Sequence, residues 1–216
     1  MNYYSDAFNQ AVRLIAEMDP DVVSAVRVSV SVSLYATVLA SLVGIPAGFA
    51  LGTRNFRGRN AVAAVLQTLT AVPTVVVGLF AYSLLTAYGP LGGLRMLYTP
   101  AAIVLGEFLL IIPLITALAL SATQSIHAGI RETALTLGAT RFQAAVAVVR
   151  DGRFAYLTAV ATGFGRAISE VGVAMMLGGN IRGFTRTMTT TLAPATEKGE
   201  CALALALGTL MLVMAL

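Results

Sequence analysis

Lysine, cysteine and histidine each occur once in this 216-residue chain, and charge of any kind is scarce. Each shortage excludes something. A phosphate-cradling loop of the form G-x-x-x-x-G-K-[ST] needs a lysine directly after its second glycine. The one lysine, Lys198, follows Thr196 and Glu197, so no such loop exists here. If nucleotide powers this chain, the nucleotide binds to another one. Cys201 is alone, which rules out an internal disulfide. His127 lies beside Gly129 in what reads as a loop, and is a solvated histidine rather than a ligand, so no metal site is expected. Charged residues make up 11% of the chain, against roughly 25% in soluble domains, too few to coat a water-facing surface. The first residues, Met1 to Met18, lack the basic, apolar, small-residue order of a cleavable signal peptide.

What the chain does have is apolar length. It is 57% hydrophobic with a mean hydropathy of +0.83, and its apolar residues gather in runs near the roughly 20 residues that cross a bilayer as a helix. The reading is an all-α, polytopic helical membrane protein, one bundle and one domain over residues 1–216. The net charge of +4 comes from arginines gathered in loops without basic runs. That pattern fits orientation in a membrane better than nucleic acid binding.

Ser5 to Met18 reads as an amphipathic helix, capped by Ser5 or Asp6, with Phe8, Ala11, Val12 and Ile15 as its apolar stripe and Asp19-Pro20 as its end. It is too short and polar to cross, and is expected to lie in the membrane interface. Five spans follow. The first runs from about Val28 to Leu51. Its Val-Ser alternation would read as a strand if it did not continue into an unbroken apolar run, and it carries Gly44-x-x-x-Gly48 and Gly48-x-x-x-Gly52 for close helix packing. The second, Val62 to Leu85, is interrupted by Pro73; the third, Ala101 to Ala122, contains Glu107 and Pro113; the fourth is Phe154 to Leu177. The fifth starts near Cys201 and reaches Leu216 after 16 residues. At 1.5 Å per residue that is too short to cross, so either the natural chain continues or the helix is incomplete. Arginines at positions 54, 57, 59, 131, 141, 150 and 153 fall in the loops after the first and third spans. They favour an outside N-terminus and place the second of these loops in the cytoplasm.

That loop contains a polar hairpin. Arg131 to Thr136 favour a short helix, Gly138 permits a turn, and Phe142 to Val149 resume a helical pattern. On periodicity alone it is a cytoplasmic connector. Its residues resemble the E-A-A-x-x-x-G motif of ABC importer permeases. Glu132, Ala134 and Gly138 match, Thr133 stands where alanine is usual, and Val148 takes the place of a later isoleucine. Arg150 and Asp151 replace the Leu-Pro that often closes the motif. The resemblance implies that Glu132, Thr133, Ala134, Gly138 and Ala139 couple the chain to an ATPase subunit, which carries the hydrolysis while this chain is not an enzyme.

A second run strengthens the likeness. Gly165-Arg-Ala-Ile-Ser-Glu-Val-Gly172 and Gly178-Gly-Asn-Ile-Arg-Gly-Phe-Thr-Arg-Thr187, with Lys198-Gly-Glu200 beyond, are similar to the tungstate branch of the molybdate, tungstate and sulfate permeases. The resemblance covers nearly the whole chain. It implies a homodimeric permease of a bacterial or archaeal plasma membrane, in contact with lipid, partnered by two ATPase copies and an extracytoplasmic binding protein. No cofactor, metal or nucleic acid is implied. Molybdate or sulfate are the alternative cargoes, and a stand-alone secondary transporter the alternative class, although no internal repeat supports it. Candidate path or gate residues are Arg166, Ser169, Glu170, Gly179, Asn180, Arg182 and Arg186. Arg166 and Glu170, four apart, share a helix face and either bridge to each other or line a route. Arginines and hydroxyls between Gly178 and Thr191 suit a tetrahedral oxyanion, and a solvated loop is the other reading of that composition. Glu107 has no partner evident in sequence.

Overall fold

The computed structural model describes the backbone of residues 3–54 and 56–215, and their side chains except at 3–6, 127, 128, 131, 132 and 215. Ten α-helices form it: α1 Tyr3–Ala16, α2 Pro20–Thr53, α3 Arg59–Thr70, α4 Thr74–Leu85, α5 Pro100–Thr136, α6 Arg141–Asp151, α7 Arg153–Ile168, α8 Gly172–Gly178, α9 Met188–Glu197 and α10 Cys201–Ala215. A single 3-10 turn, Gly92–Leu94, sits in the Gly/Pro loop between α4 and α5. No strand occurs among the described residues, so the serine alternation at the start of the first span is helical after all.

Several boundaries differ from expectation. Helix α1 is already running at Tyr3, so Ser5 and Asp6 do not stand at its start, and their side chains lie outside the described residues. Asp19 caps the next helix: its Oδ1 accepts from the Asp21 N–H at 2.9 Å and the Val22 N–H at 3.4 Å. Pro20 follows as the first helical residue, a position where a missing N–H costs nothing. Helix α2 therefore begins eight residues before the apolar run. Pro73 does break the second span, leaving α3 and α4 as separate helices. The fourth span is also broken, by a 59° bend between α7 and α8. The first half of the polar hairpin is not a separate helix but the end of the 37-residue α5. His127 accordingly lies in that helix rather than a loop, its side chain outside the described residues. Helices α2 and α5 are each long and apolar enough to cross a membrane, and there are up to four spans if each broken pair is counted as one. Helix α10 is a shorter apolar helix.

The chain divides into two compact units. The first comprises Met1–Ala36, Pro73–Leu109 and Gly165–Leu216. In it α1 packs on α10, α10 on α9, and α4 on α8. Ala7 and Ala11 are buried, while Phe8 and Val12 stay exposed. The core joins Ala81, Leu85, Ala102, Val173 and Leu177, with Val32, Ile103 and Ala174 beside one another in a second cluster.

The second unit comprises Thr37–Val72 and Leu110–Phe164. Its organising feature is the glycine stripe on α2. A Cβ at Gly48 would stand 2.6 Å from the Thr116 carbonyl oxygen and 2.7 Å from the Ala119 Cβ. At Gly52 it would meet the Thr123 side chain at 2.6 Å. These glycines bring the α2 and α5 backbones together, as their spacing predicts. The Thr123 hydroxyl then bonds the Tyr156 hydroxyl at 2.8 Å, and Tyr156 packs with Ala119, Ala122, Ile45 and Phe49.

Candidate functional site

Two regions hold the residues singled out by sequence, one in each unit. The elbow of the second unit runs from the end of α5 to the start of α6. Gly138 sits at φ +85°, a left-handed conformation that glycine adopts without a Cβ clash. The helix end is closed by paired bonds, Ala139 N–H to Ala134 O and Gly138 N–H to Leu135 O, both 3.0 Å. This is the usual satisfaction of orphan carbonyls behind a left-handed residue. Ala134 and Ala139 therefore share one bond. Thr133 is exposed and its hydroxyl donates to Gly129 O at 2.8 Å. The Glu132 side chain lies outside the described residues.

Across the turn, Thr140 and Gln143 form a reciprocal cap. Thr140 Oγ1 accepts from the Gln143 N–H at 3.3 Å, and Gln143 Oε1 accepts from the Thr140 N–H at 2.8 Å. Such a box satisfies two orphan donors at a helix start. Sequence reading missed it, although the Thr-x-x-Gln spacing carries the signal. Ala144 and Val148 face inward and are fully buried. The tip presents two large apolar side chains to the outside, Leu137 at 82% and Phe142 at 78% exposure. The elbow is thus capped on both sides and greasy at its point.

The first unit holds the other region, centred on the α7–α8 break. Arg166 Nη1 donates to Glu170 Oε2 at 2.8 Å, so the expected pair forms even though Glu170 has left the helix. Glu170 is buried and its other oxygen accepts from the Val173 N–H at 3.2 Å, feeding the start of α8. Its backbone carbonyl accepts from the Thr189 hydroxyl at 2.7 Å. One residue therefore joins α7, α8 and α9. Ser169 is exposed and turns its hydroxyl back to Gly165 O at 2.7 Å.

Glu107 is buried beside this joint. It is paired with the Ser33 hydroxyl and lies within electrostatic range of Glu170, while its Oε2 has no hydrogen-bond partner. Ser29, one turn before Ser33, accepts from the Met188 N–H at 2.8 Å. Ser29 and Ser33 share a helix face, so the alternating serines of the first span do have a polar purpose here. In sequence, residues 187–191 belong to a polar segment with no helix expected. Instead Thr187 and Thr190 form a second reciprocal cap that starts α9, and Thr187, Thr189, Thr190 and Thr191 are all buried.

Between α8 and α9 the chain makes a tight polar turn. Gly179 and Asn180 are left-handed, at φ +69° and +51°. At Gly179 an added Cβ would lie 2.8 Å from the Tyr98 ring, so glycine is required there twice over. Thr185 holds the turn by donating to Gly178 O at 2.6 Å and accepting from the Ile181 N–H at 3.0 Å. Arg186 bonds Asn180, through Nε to Oδ1 at 3.2 Å and through Nη2 to the carbonyl at 3.4 Å. Arg182 forks onto Asp21 at the start of α2, with Nε to Oδ1 at 2.7 Å and Nη2 to Oδ2. That bond to carboxylate holds the Arg182 guanidinium above its ordinary value. Asp21 was not anticipated, because 161 residues separate it from Arg182 and nothing local marks the pairing.

The structure thus brings Arg166 and Glu170 together at the joint, and Gly179, Asn180 and Arg186 together in the turn, with Arg182 held to α2. No group of three or more His, Cys, Asp or Glu that could hold a metal occurs among the described residues. What remains is a set of anchored positive charges and hydroxyls in the first unit, and a capped apolar elbow in the second.

Residues 44–216 match the family described as binding-protein-dependent transport system inner membrane component. The chain is 38% identical to the tungstate uptake system permease protein TupB of Peptoclostridium acidaminophilum over 214 residues, covering 99% of this chain and 94% of that one. It is 39% identical to a probable anion ABC transporter permease protein of Haloferax volcanii, over 90% of this chain and 86% of the relative. It is 35% identical to the TupB of Campylobacter jejuni, over 100% and 90%. A helical chain matched over this length is a multi-pass protein of the plasma membrane, and it belongs to the family of binding-protein-dependent transport system inner membrane components.

Proposed function

We propose that the chain is the permease subunit of an ATP-driven importer of tungstate, receiving the anion from an extracytoplasmic binding protein. The observation that carries this reading is full-length similarity to two tungstate uptake permeases, together with an elbow built for contact. Hydrolysis belongs to a separate ATPase subunit. Two copies of that subunit dock on the elbows of two permease copies, each permease chain working as one domain with about five crossings. Leu137 and Phe142 supply the apolar contact, while Gly138, Ala139 and the Thr140 cap fix its angle. Thr133, Ala134 and Glu132 complete the docking surface.

The remaining candidates belong to the path or its gate. Arg166 and Glu170 neutralise each other, so the joint at α7–α8 does not trap a passing anion. Ser169 lies exposed on the same turn. Gly179 and Asn180 shape the polar turn that presents Arg182 and Arg186. Weak binding at several places lets an ion leave as well as enter, and partly neutralised arginines suit that need.

The test is uptake by vesicles containing the permease, its ATPase and its binding protein. Tungstate should accumulate with ATP and in preference to sulfate. Phe142→Glu should abolish accumulation and ATPase binding while leaving the permease folded. Uptake that persists without any ATPase would overturn the reading in favour of a stand-alone carrier.

A further inference from the structure

One feature of the first unit is not used by the proposed coupling. Arg182, Arg186, Lys198 and Thr191 line a cleft of about 160 Å³ together with the carboxylates of Asp21 and Glu200. A water's share of liquid is about 30 Å³, so a tetrahedral oxyanion fits there with part of its hydration. Three cationic side chains against two carboxylates leave the lining one positive charge in excess. The cations are unequally committed. Arg186 spends Nε and one Nη on Asn180, and its other Nη makes no hydrogen bond among the described residues. Lys198 is exposed at the end of α9. Arg182 is held by a charge instead, with Nε and Nη2 forked onto the two oxygens of Asp21.

That bond has the geometry of anion recognition. A guanidinium fork meets a carboxylate and an inorganic oxyanion through the same pair of parallel N–H donors. Asp21 presents to Arg182 the two-oxygen edge that an XO4 dianion would present. The pair is also exposed, with 70% of the Arg182 side chain and 37% of the Asp21 side chain accessible, and such pairs are easily replaced. Arg186 lines the same cleft as Asp21 and acts on its carboxylate electrostatically.

We propose that this cleft is a low-affinity receiving site for tetrahedral divalent oxyanions, and that Asp21 is its resident competitor. An arriving dianion takes the Arg182 fork and is completed by Arg186 and Lys198. Asp21, released but still adjacent, repels it and reclaims Arg182 when it leaves. The carboxylate thus sets a ceiling on affinity at a point where tight binding would stall traffic. The proposal rests on the anion-transport reading and adds to it the residue that keeps the site weak.

The experiment is equilibrium binding of radiolabelled tungstate to the detergent-purified permease–ATPase complex without binding protein, alongside uptake by the reconstituted system. Asp21→Asn should tighten tungstate binding about tenfold and lower the maximal uptake rate severalfold. Glu200→Gln, which removes the other carboxylate from an exposed position, should tighten it less. Asp21→Glu should stay close to wild type. Adding Arg186→Ala to Asp21→Asn should return the affinity to wild type or below. A thermal transition reports that each variant is folded, and Glu200→Gln carries the test if Asp21→Asn is not. Unchanged affinity in the folded carboxylate variants, or a gain that survives Arg186→Ala, would overturn the proposal even where uptake shows the transport reading to hold. The predicted binding shifts without any tungstate uptake would leave the receiving site standing and sink the cargo assignment instead.

Discussion

At the scale of single residues, space rather than charge is the sharpest constraint. Gly48 has the backbone of α5 within 2.6 Å of where a Cβ would be, and backbone cannot swing aside as a side chain does. Gly48→Ala should destabilise the protein by about 1–3 kcal/mol, the range for forced overpacking. Gly165 is the contrast, a helical glycine with nothing within 4 Å of its Cβ position. Gly165→Ala should be neutral or stabilise by up to about 1 kcal/mol through helix propensity. Thermal unfolding in detergent, followed by circular dichroism, compares the two. An equal response would mean that the α2 glycines are not a contact.

At the scale of elements, breaks and joints matter more than the helices themselves. Gly138 holds φ +85° at the elbow, where a residue with a Cβ pays roughly 1–2 kcal/mol. Gly138→Val should therefore tilt or fray the tip. The expected outcome is a fall in tungstate moved per ATP hydrolysed, larger than any fall in the amount of assembled complex. Transport per ATP measured in vesicles decides it, and an unchanged ratio would remove the elbow angle from the coupling step.

The same scale shows what could be read in advance. The α2 glycines, the Pro73 break and the turn at Gly138 are written locally, as small-residue spacing, a missing N–H and a missing Cβ. The break between α7 and α8 is not. No proline or glycine stands between Ala167 and Val171 to mark it, and the bend is held by Thr189, which lies 19 residues further on and donates to the Glu170 carbonyl. Helix α9 was hidden by its threonines and Pro194, which read as loop until the Thr187–Thr190 cap is seen to start the helix. The joining of the hairpin's first helix to α5 escaped for the opposite reason: polar residues from Gln124 to Gly129 look like a loop, yet none of them stops a helix. Among the candidate site residues, the Arg166–Glu170 pair was legible because four-residue spacing is local. Asp21 opposite Arg182 was not, since only the fold brings them together.

At the scale of the whole molecule the question is sidedness. Arginine placement predicts the elbow in the cytoplasm and the turn around Arg182 outside. With Cys201 replaced by serine, single cysteines at Leu137 and at Arg182 should react with a membrane-impermeant thiol reagent from opposite faces of sealed vesicles. Leu137→Cys should label only in inside-out vesicles, and Arg182→Cys only in right-side-out ones. Labelling of both from one side would invert or undo the topology on which the coupling scheme depends.

The exposed Leu137 and Phe142 have a further consequence for the cell. Oily groups bared to water are what chaperones and proteases seize, so a copy inserted without a mate to cover its tip is a liability until covered. Synthesis of the two subunits should therefore be kept in step, with surplus permease cleared rather than stored.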